Sequence, residues 1–137
     1  MIKCIIFDVG NVLTSENIDA VFDELNGLLG KKVFSRKSNI HRQYLSGKIT
    51  ENSYYATLSK KAKIPREKLR KLAINKYKEI IKPRKNVLLL AKLLKEKGYK
   101  ISIISNISPD HKRIKKSLGL FKDFSPVILS CDIGYQK

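Results

Sequence analysis

The chain opens with an apolar run that ends in a carboxylate. Residues 4–7 read Cys-Ile-Ile-Phe and lead directly to Asp8, and a turn containing Gly10 and Asn11 follows. An unbroken apolar run of this kind is typical of a strand that is buried on both faces of a parallel sheet. Ligands of open α/β sheets bind at the carboxyl ends of the strands. The pattern therefore predicts that Asp8 is a nucleophile or a metal ligand, although an aspartate that only caps the following loop would give the same pattern.

The remaining sequence predicts a helical block followed by alternating strands and helices. Apolar residues recur at helical spacing in four segments between residues 15 and 83, near 18–29, 35–45, 50–62 and 65–80. After residue 84 the pattern predicts a helix at 87–94, a strand at 99–104, a helix at 109–118 and a strand at 126–129. This order is typical of a right-handed parallel α/β sheet. We therefore predict an α/β core formed by residues 1–14 and 84–137, with an all-helical insertion at 15–83.

Polar residues follow three of the apolar segments, and a parallel sheet would bring them to one edge. These residues are Asp8, the pair Ser105-Asn106, and Lys137. The combination suits phosphoryl transfer, because an aspartate with an ordinary pKa of about 4 is ionised at neutral pH and can attack phosphorus without a base. A serine hydroxyl can bind phosphoryl oxygens, and a lysine can neutralise their charge. Taken separately, Ser105-Asn106 is also an ordinary strand-to-turn pattern and Lys137 an ordinary terminal lysine.

We expect a cytoplasmic protein from the apolar runs, the first residues and the cysteines. No apolar run approaches the roughly 20 residues that span a bilayer, and residues 1–3 lack the layout of a signal peptide. We expect Cys4 and Cys131 to be reduced and buried. The net charge of +17 could attract nucleic acid, but the excess is spread over the chain and no nucleic-acid-binding motif is present. Basic runs such as 112–116 are typical of solvated helix faces, so the charge does not favour a nucleic-acid partner.

Together, these residues resemble the haloacid dehalogenase (HAD) superfamily, in its phosphatase branch with a helical cap. Residues 5–13 resemble the first motif of that family, 103–106 the second and 134–137 the beginning of the third. The resemblance implies a Rossmann-like core with a helical cap at 15–83. Neither His41 nor His111 matches a family motif, and we expect both at the surface.

The resemblance also implies a role for each matching residue. Asp8 would be the nucleophile and would bind Mg²⁺ together with the backbone carbonyl of Gly10. Ser105 and the backbone of Asn106 would bind the phosphoryl group of a small phosphorylated substrate. Lys137 would hold that group during the reaction.

The sequence departs from the family pattern in two places. Phosphatases of this family usually carry an acid–base aspartate two residues after the nucleophile, and Gly10 stands there instead. General acid–base help contributes roughly 10²–10⁴ in rate. The chain also stops before the acidic fourth motif, so we expect an incomplete metal site and a core that lacks its C-terminal part. Such a core would expose the edge of the first strand, and we expect a homodimer, a domain swap or complementation by another chain.

The sequence-based hypothesis is a HAD-like hydrolase, a Mg²⁺-dependent phosphatase of small phosphate monoesters with an aspartyl-phosphate intermediate. One alternative is a catalytically inactive domain that binds a partner or a nucleic acid. Another is a dehalogenase, which would use the same aspartate.

Overall fold

The computed structural model describes residues 1–137 as an α/β fold. The strands are β1 (Cys4–Phe7), β2 (Thr14–Ser15), β3 (Lys82–Pro83), β4 (Lys100–Ser105) and β5 (Val127–Leu129). The helices are α1 (Ile18–Leu29), α2 (Asn39–Leu45), α3 (Glu51–Ala62), α4 (Arg66–Ile80), α5 (Lys85–Glu96), α6 (Pro109–Ser117) and α7 (Ser130–Ile133). No helix has the length and apolar character needed to cross a membrane.

Three strands form a parallel sheet in the order β1-β4-β5, which confirms the predicted fold class. Phe7 pairs with Ile103, and Ser105 pairs with Leu129. All three strands run in one direction, so their carboxyl ends meet at one edge of the sheet. This edge carries Asp8, directly after β1, and Ser105, the last residue of β4.

The prediction that the first strand is buried on both faces was wrong. β1 lies at the edge of the sheet, and Cys4 and Ile6 are exposed, whereas Phe7 is buried. The strand pairs with β4 on one side only, and its outer edge has no partner strand. The expected burial of Cys4 is wrong for the same reason, while Cys131 is half-buried.

The segment between β1 and α5 is mostly helical, as predicted. Asn17, Ser38 and Thr50 cap α1, α2 and α3, each accepting a hydrogen bond from a backbone N–H three residues further on. The second helix begins at Asn39, later than the predicted start near residue 35. The segment also is not purely helical, because β2 and β3 form a short antiparallel ribbon where the chain enters and leaves it.

The helices and the sheet hold separate apolar clusters. One contains buried residues of α1–α4, and the other is built around the sheet, with Phe7, Ile103 and Leu129 among its members. A buried hydrogen bond joins the two parts: Tyr55 Oη of α3 donates to Asp110 Oδ2 of α6 at 2.7 Å. Asp110 is 1% exposed and also accepts hydrogen bonds from the hydroxyl of Ser108 and the backbone N–H of His111. A buried polar contact, surrounded by apolar side chains, thus joins the inserted helices to α6.

The substitution Tyr55→Phe tests this contact. It leaves one oxygen of the buried Asp110 carboxylate without its hydroxyl donor, and we expect the free energy of unfolding to fall by about 1–3 kcal/mol. Urea denaturation measures the change. Tyr135→Phe is the control, because Tyr135 is exposed, and it should change the stability by less than about 0.5 kcal/mol. Equal stabilities of the two variants would contradict the importance of the contact.

Because the outer edge of β1 is unpaired, self-association remains a prediction. An unpaired strand edge with exposed Ile2 and Ile6 can pair with another chain. We expect light scattering coupled to size-exclusion chromatography to show a mass that rises with concentration. Ile6→Lys should lower that mass, because a charge on an edge strand opposes pairing. A wild-type mass equal to the monomer at every concentration would rule out the prediction.

Candidate active site

The parallel pairing of β1 and β4 brings Asp8 and Ser105 together. Ser105 Oγ donates a hydrogen bond to Asp8 Oδ1 at 2.9 Å, and the backbone N–H of Val9 donates to the same oxygen at 2.7 Å. Ser105 is 4% exposed, so its hydroxyl is held at the base of the site. Both donors come from the sheet edge, which fixes the orientation of the Asp8 carboxylate.

The C-terminal segment brings Lys137 to the other oxygen of Asp8. Lys137 Nζ lies 2.5 Å from Asp8 Oδ2 and 3.2 Å from the carbonyl oxygen of Ile104. Asn106 anchors this segment, because its Oδ1 accepts a hydrogen bond from the Lys137 backbone N–H at 2.9 Å. The sequence-predicted residues Asp8, Ser105, Asn106 and Lys137 therefore form one cluster, and their catalytic roles stay predictions.

The surroundings of Asp8 keep its carboxylate ionised. Partial burial raises its pKa, but hydrogen bonds from Lys137, Ser105 and Val9 outweigh burial and hold the pKa below its ordinary value. A carboxyl group with a lowered pKa loses its charge only when the pH falls through that pKa. Asp8 is therefore charged at neutral pH, as a nucleophile or a metal ligand must be.

Glu16 occupies the space beside Gly10. A β-carbon added to Gly10 would lie 3.1 Å from Glu16 Oε1, which is tighter than ordinary contact. The Glu16 side chain is 8% exposed, accepts a hydrogen bond from Thr14 Oγ1 at 2.7 Å and pairs with Lys115 at 2.8 Å. The carboxylate nearest to position 10 thus belongs to Glu16, and a lysine of α6 neutralises it.

The burial of Lys115 was not predicted. Its run 112–116 was expected on a solvated helix face, yet the Lys115 side chain is only 3% exposed. Burial lowers its pKa, and the charge of Glu16 opposes that effect. The side chain borders the cleft that contains Asp8, and its ammonium group contacts Glu16 there. No local pattern in the sequence distinguishes this lysine from its neighbours.

The expected surface positions of the two histidines were also wrong. His41 is 6% exposed and His111 is 8% exposed, and both border the cleft that contains Asp8. His41 Nδ1 lies 3.2 Å from Tyr54 Oη, and the His111 ring packs edge-on against Tyr77. Aromatic packing holds both imidazoles inside the protein, and a resemblance to family motifs could not indicate it.

The comparisons with known proteins decide the family. A family model described as haloacid dehalogenase-like hydrolase matches residues 2–137. The chain belongs to the HAD-like hydrolases. No match was found among curated proteins.

Solved structures of other HAD proteins share this fold. A HAD family enzyme from Bacteroides thetaiotaomicron, in complex with magnesium and inorganic phosphate, gives a TM-score of 0.76 at 17% identity. That similarity covers 100% of this chain and 73% of the other. A HAD-like family hydrolase from Porphyromonas gingivalis gives 0.76 at 18% identity, covering 100% and 70%. L-2-haloacid dehalogenase from Xanthobacter autotrophicus gives 0.52 at 20% identity, covering 94% and 57%. Similarities at these identities establish the fold.

This HAD-like hydrolase offers the smallest number of protein ligands with which Mg²⁺ is commonly bound. Asp8 and Gly10 both border the cleft, and no group of three or more acidic, histidine or cysteine side chains is present that could hold a metal ion. Mg²⁺ is often bound by one or two carboxylates together with waters and substrate phosphate oxygens. The Asp8 carboxylate and the Gly10 carbonyl would therefore hold the ion only weakly before a phosphorylated substrate binds.

Restoring the family aspartate at position 10 should destabilise the protein. Gly10→Asp would place a second carboxylate against the buried Glu16, and we expect a loss of about 1–3 kcal/mol in the free energy of unfolding. Urea denaturation measures the loss. Gly27→Ala is the control, because Gly27 lies in α1 and a β-carbon there would meet no neighbouring atom, so the change should stabilise that helix by about 0.5–1 kcal/mol. Unchanged stability of Gly10→Asp would show that Glu16 does not close this position.

Proposed function

We propose that this HAD-like hydrolase is a Mg²⁺-dependent phosphatase of small phosphate monoesters. The observation that carries the proposal is the Asp8 carboxylate, which Ser105 Oγ and Lys137 Nζ contact from two sides. An ionised carboxylate beside a hydroxyl and an ammonium group suits attack on a phosphoryl group. The carboxylate can attack the phosphorus, while the hydroxyl and the ammonium group can donate hydrogen bonds to the negatively charged phosphoryl oxygens. The magnesium and phosphate complex of the enzyme from Bacteroides thetaiotaomicron supports the same chemistry.

The proposed reaction has two steps. An Asp8 carboxylate oxygen forms a bond to phosphorus, the bond between phosphorus and the ester oxygen breaks, and the alcohol leaves with a proton taken from water. Water then attacks the phosphorus of the aspartyl phosphate, which releases inorganic phosphate and restores the carboxylate. Ser105 and Lys137 would bind the phosphoryl oxygens in both steps, and the Asn106 backbone would help to bind them.

Bound Mg²⁺ would neutralise phosphoryl charge and so make the attack of one anion on another easier. Asp8 and the Gly10 carbonyl are the residues that would hold it. We further propose that the segment 15–83 acts as the cap of this site. The cleft supports this, because α1, α2 and the loop between them contribute to its lining beside Asp8 and Ser105.

The substitution Asp8→Asn tests the proposal most simply. The amide has no charge and cannot form the aspartyl phosphate, so Mg²⁺-dependent hydrolysis of p-nitrophenyl phosphate should fall to the rate without enzyme. Asp123→Asn is the matched control, since Asp123 lies outside the cleft and its side chain is 49% exposed. It should retain the wild-type rate.

Ser105→Ala should keep part of the activity. The lost hydrogen bond to a charged oxygen corresponds to a decrease of about 10- to 100-fold in kcat/KM. For the Asp8→Asn test described above, hydrolysis of p-nitrophenyl phosphate that survives in the variant would contradict the role of Asp8 as the nucleophile. A wild-type protein that hydrolyses no phosphate monoester, but binds DNA or RNA in a salt-sensitive way, would favour the inactive binding domain.

A further inference from the structure

The cleft that contains Asp8 is larger and more polar than an aryl phosphate needs. Its volume is about 1410 Å³, whereas small-molecule pockets commonly measure roughly 300–1,000 Å³ and are mostly apolar. Only six of its 28 lining residues are hydrophobic. A cleft of this composition suits a substrate whose leaving group is itself polar.

The charged side chains of the cleft are unevenly paired. Six cationic and four anionic side chains line it. Three ion pairs use Asp8 with Lys137, Glu16 with Lys115, and Asp19 with Arg36. Once these pairs are set aside, one acidic side chain remains, that of Asp23. Three cations also remain that form no ion pair with a protein carboxylate: Lys32, Lys37 and Arg42.

The segment that carries these cations is held in a fixed conformation. Lys32 and Lys37 lie in the loop between α1 and α2, and Arg42 lies in α2. Asn26 Oδ1 accepts hydrogen bonds from the backbone N–H groups of Val33 and Phe34 at 2.7 and 2.8 Å. Asn26 Nδ2 donates to the Phe34 carbonyl oxygen at 2.9 Å, and the side chains of Val33 and Phe34 are buried. The backbone of the loop is therefore positioned before any ligand binds.

The two histidines of the cleft add polarity without adding charge. Burial lowers the pKa of His41 to about 4, and it also lowers the pKa of His111. Both imidazoles are therefore neutral at pH 7. His111 Nε2 is buried without a hydrogen-bond partner. The positive charge that remains for a ligand comes from the cations of the α1–α2 segment.

We propose that Lys32, Lys37 and Arg42 bind a second anionic group on the alcohol part of the substrate. The inference rests on the proposed phosphatase function, in which Ser105 and Lys137 receive the transferred phosphoryl group. The substrate class is then a small phosphate monoester whose alcohol carries a carboxylate or a second phosphate. A guanidinium group can hold either anion with two parallel hydrogen bonds, and the ammonium groups add compact positive charge.

Titration calorimetry with the Asp8→Asn protein tests the inference without turnover. The probes are two matched pairs: glycerol 3-phosphate against 3-phosphoglycerate, and fructose 6-phosphate against fructose 1,6-bisphosphate. The member with the second anion should bind about tenfold more tightly in at least one pair. A preference in the first pair identifies a carboxylate as the bound group, and a preference in the second pair identifies a phosphate.

The double variant Lys37→Gln/Arg42→Gln, made in the same protein, should reduce that preference towards equal affinity. Lys60→Gln/Lys61→Gln is the matched control, because it removes the same charge from exposed positions of α3 outside the cleft. The control should keep the tenfold preference. Thermal melting of both double variants shows whether they are folded.

The inference is overturned if neither pair shows a preference, or if the two double variants lose the preference equally. The second result would mean that the overall charge attracts the anion. A wild-type protein without phosphatase activity would overturn the proposed function alone, because the binding preference in Asp8→Asn is measured separately. Equal affinities within both pairs in Asp8→Asn, together with hydrolysis of p-nitrophenyl phosphate by the wild-type protein, would overturn the inference alone.

Discussion

The parallel pairing of β1 with β4 is the constraint on which the candidate site depends. Phe7 lies opposite Ile103, so the residues that follow, Asp8 and Ser105, leave the sheet at the same edge. A shift of one residue in this register would turn every side chain of β1 to the opposite face of the sheet. The Asp8 carboxylate would then lose both Ser105 and the C-terminal segment. The hydrogen bonds at the carboxylate are thus a consequence of strand pairing.

A second interaction connects that edge to the rest of the molecule. Glu16 lies in the short segment between β2 and α1, and its buried ion pair with Lys115 joins this segment to α6. Removal of one partner from a buried ion pair commonly costs about 3–5 kcal/mol, because an unpaired charge stays inside. The glycine at position 10 and the carboxylate of Glu16 belong together, since a side chain at position 10 would meet that carboxylate. The glycine that stands in place of the family aspartate is therefore accompanied in this chain by a buried carboxylate beside it.

The sequence predicted the sheet and the edge that carries the candidate site better than it predicted burial. Apolar runs that end in polar residues indicate both a strand and its carboxyl end, and so Asp8 and Ser105 could be found. Lys137 follows α7 and not a strand, and it was indicated by the resemblance of 134–137 to a family motif. An open edge of the first strand was expected, but the apolar run does not indicate that Cys4 and Ile6 are exposed. Lys115 looks like its neighbours in a basic helix, and only its buried ion pair with Glu16 distinguishes it. Burial of a single polar residue depends on tertiary contacts that local patterns do not contain.

The most direct measurement asks whether Asp8 receives the phosphoryl group. The wild-type protein is mixed with p-nitrophenyl phosphate and Mg²⁺, quenched in acid during turnover, and digested at the same low pH with pepsin to release the peptide that contains Asp8. Mass spectrometry should find this peptide heavier by one phosphoryl group, with the modification on Asp8 and no such peptide from Asp8→Asn. Turnover without the adduct, or an adduct at another residue, would contradict the role proposed for Asp8.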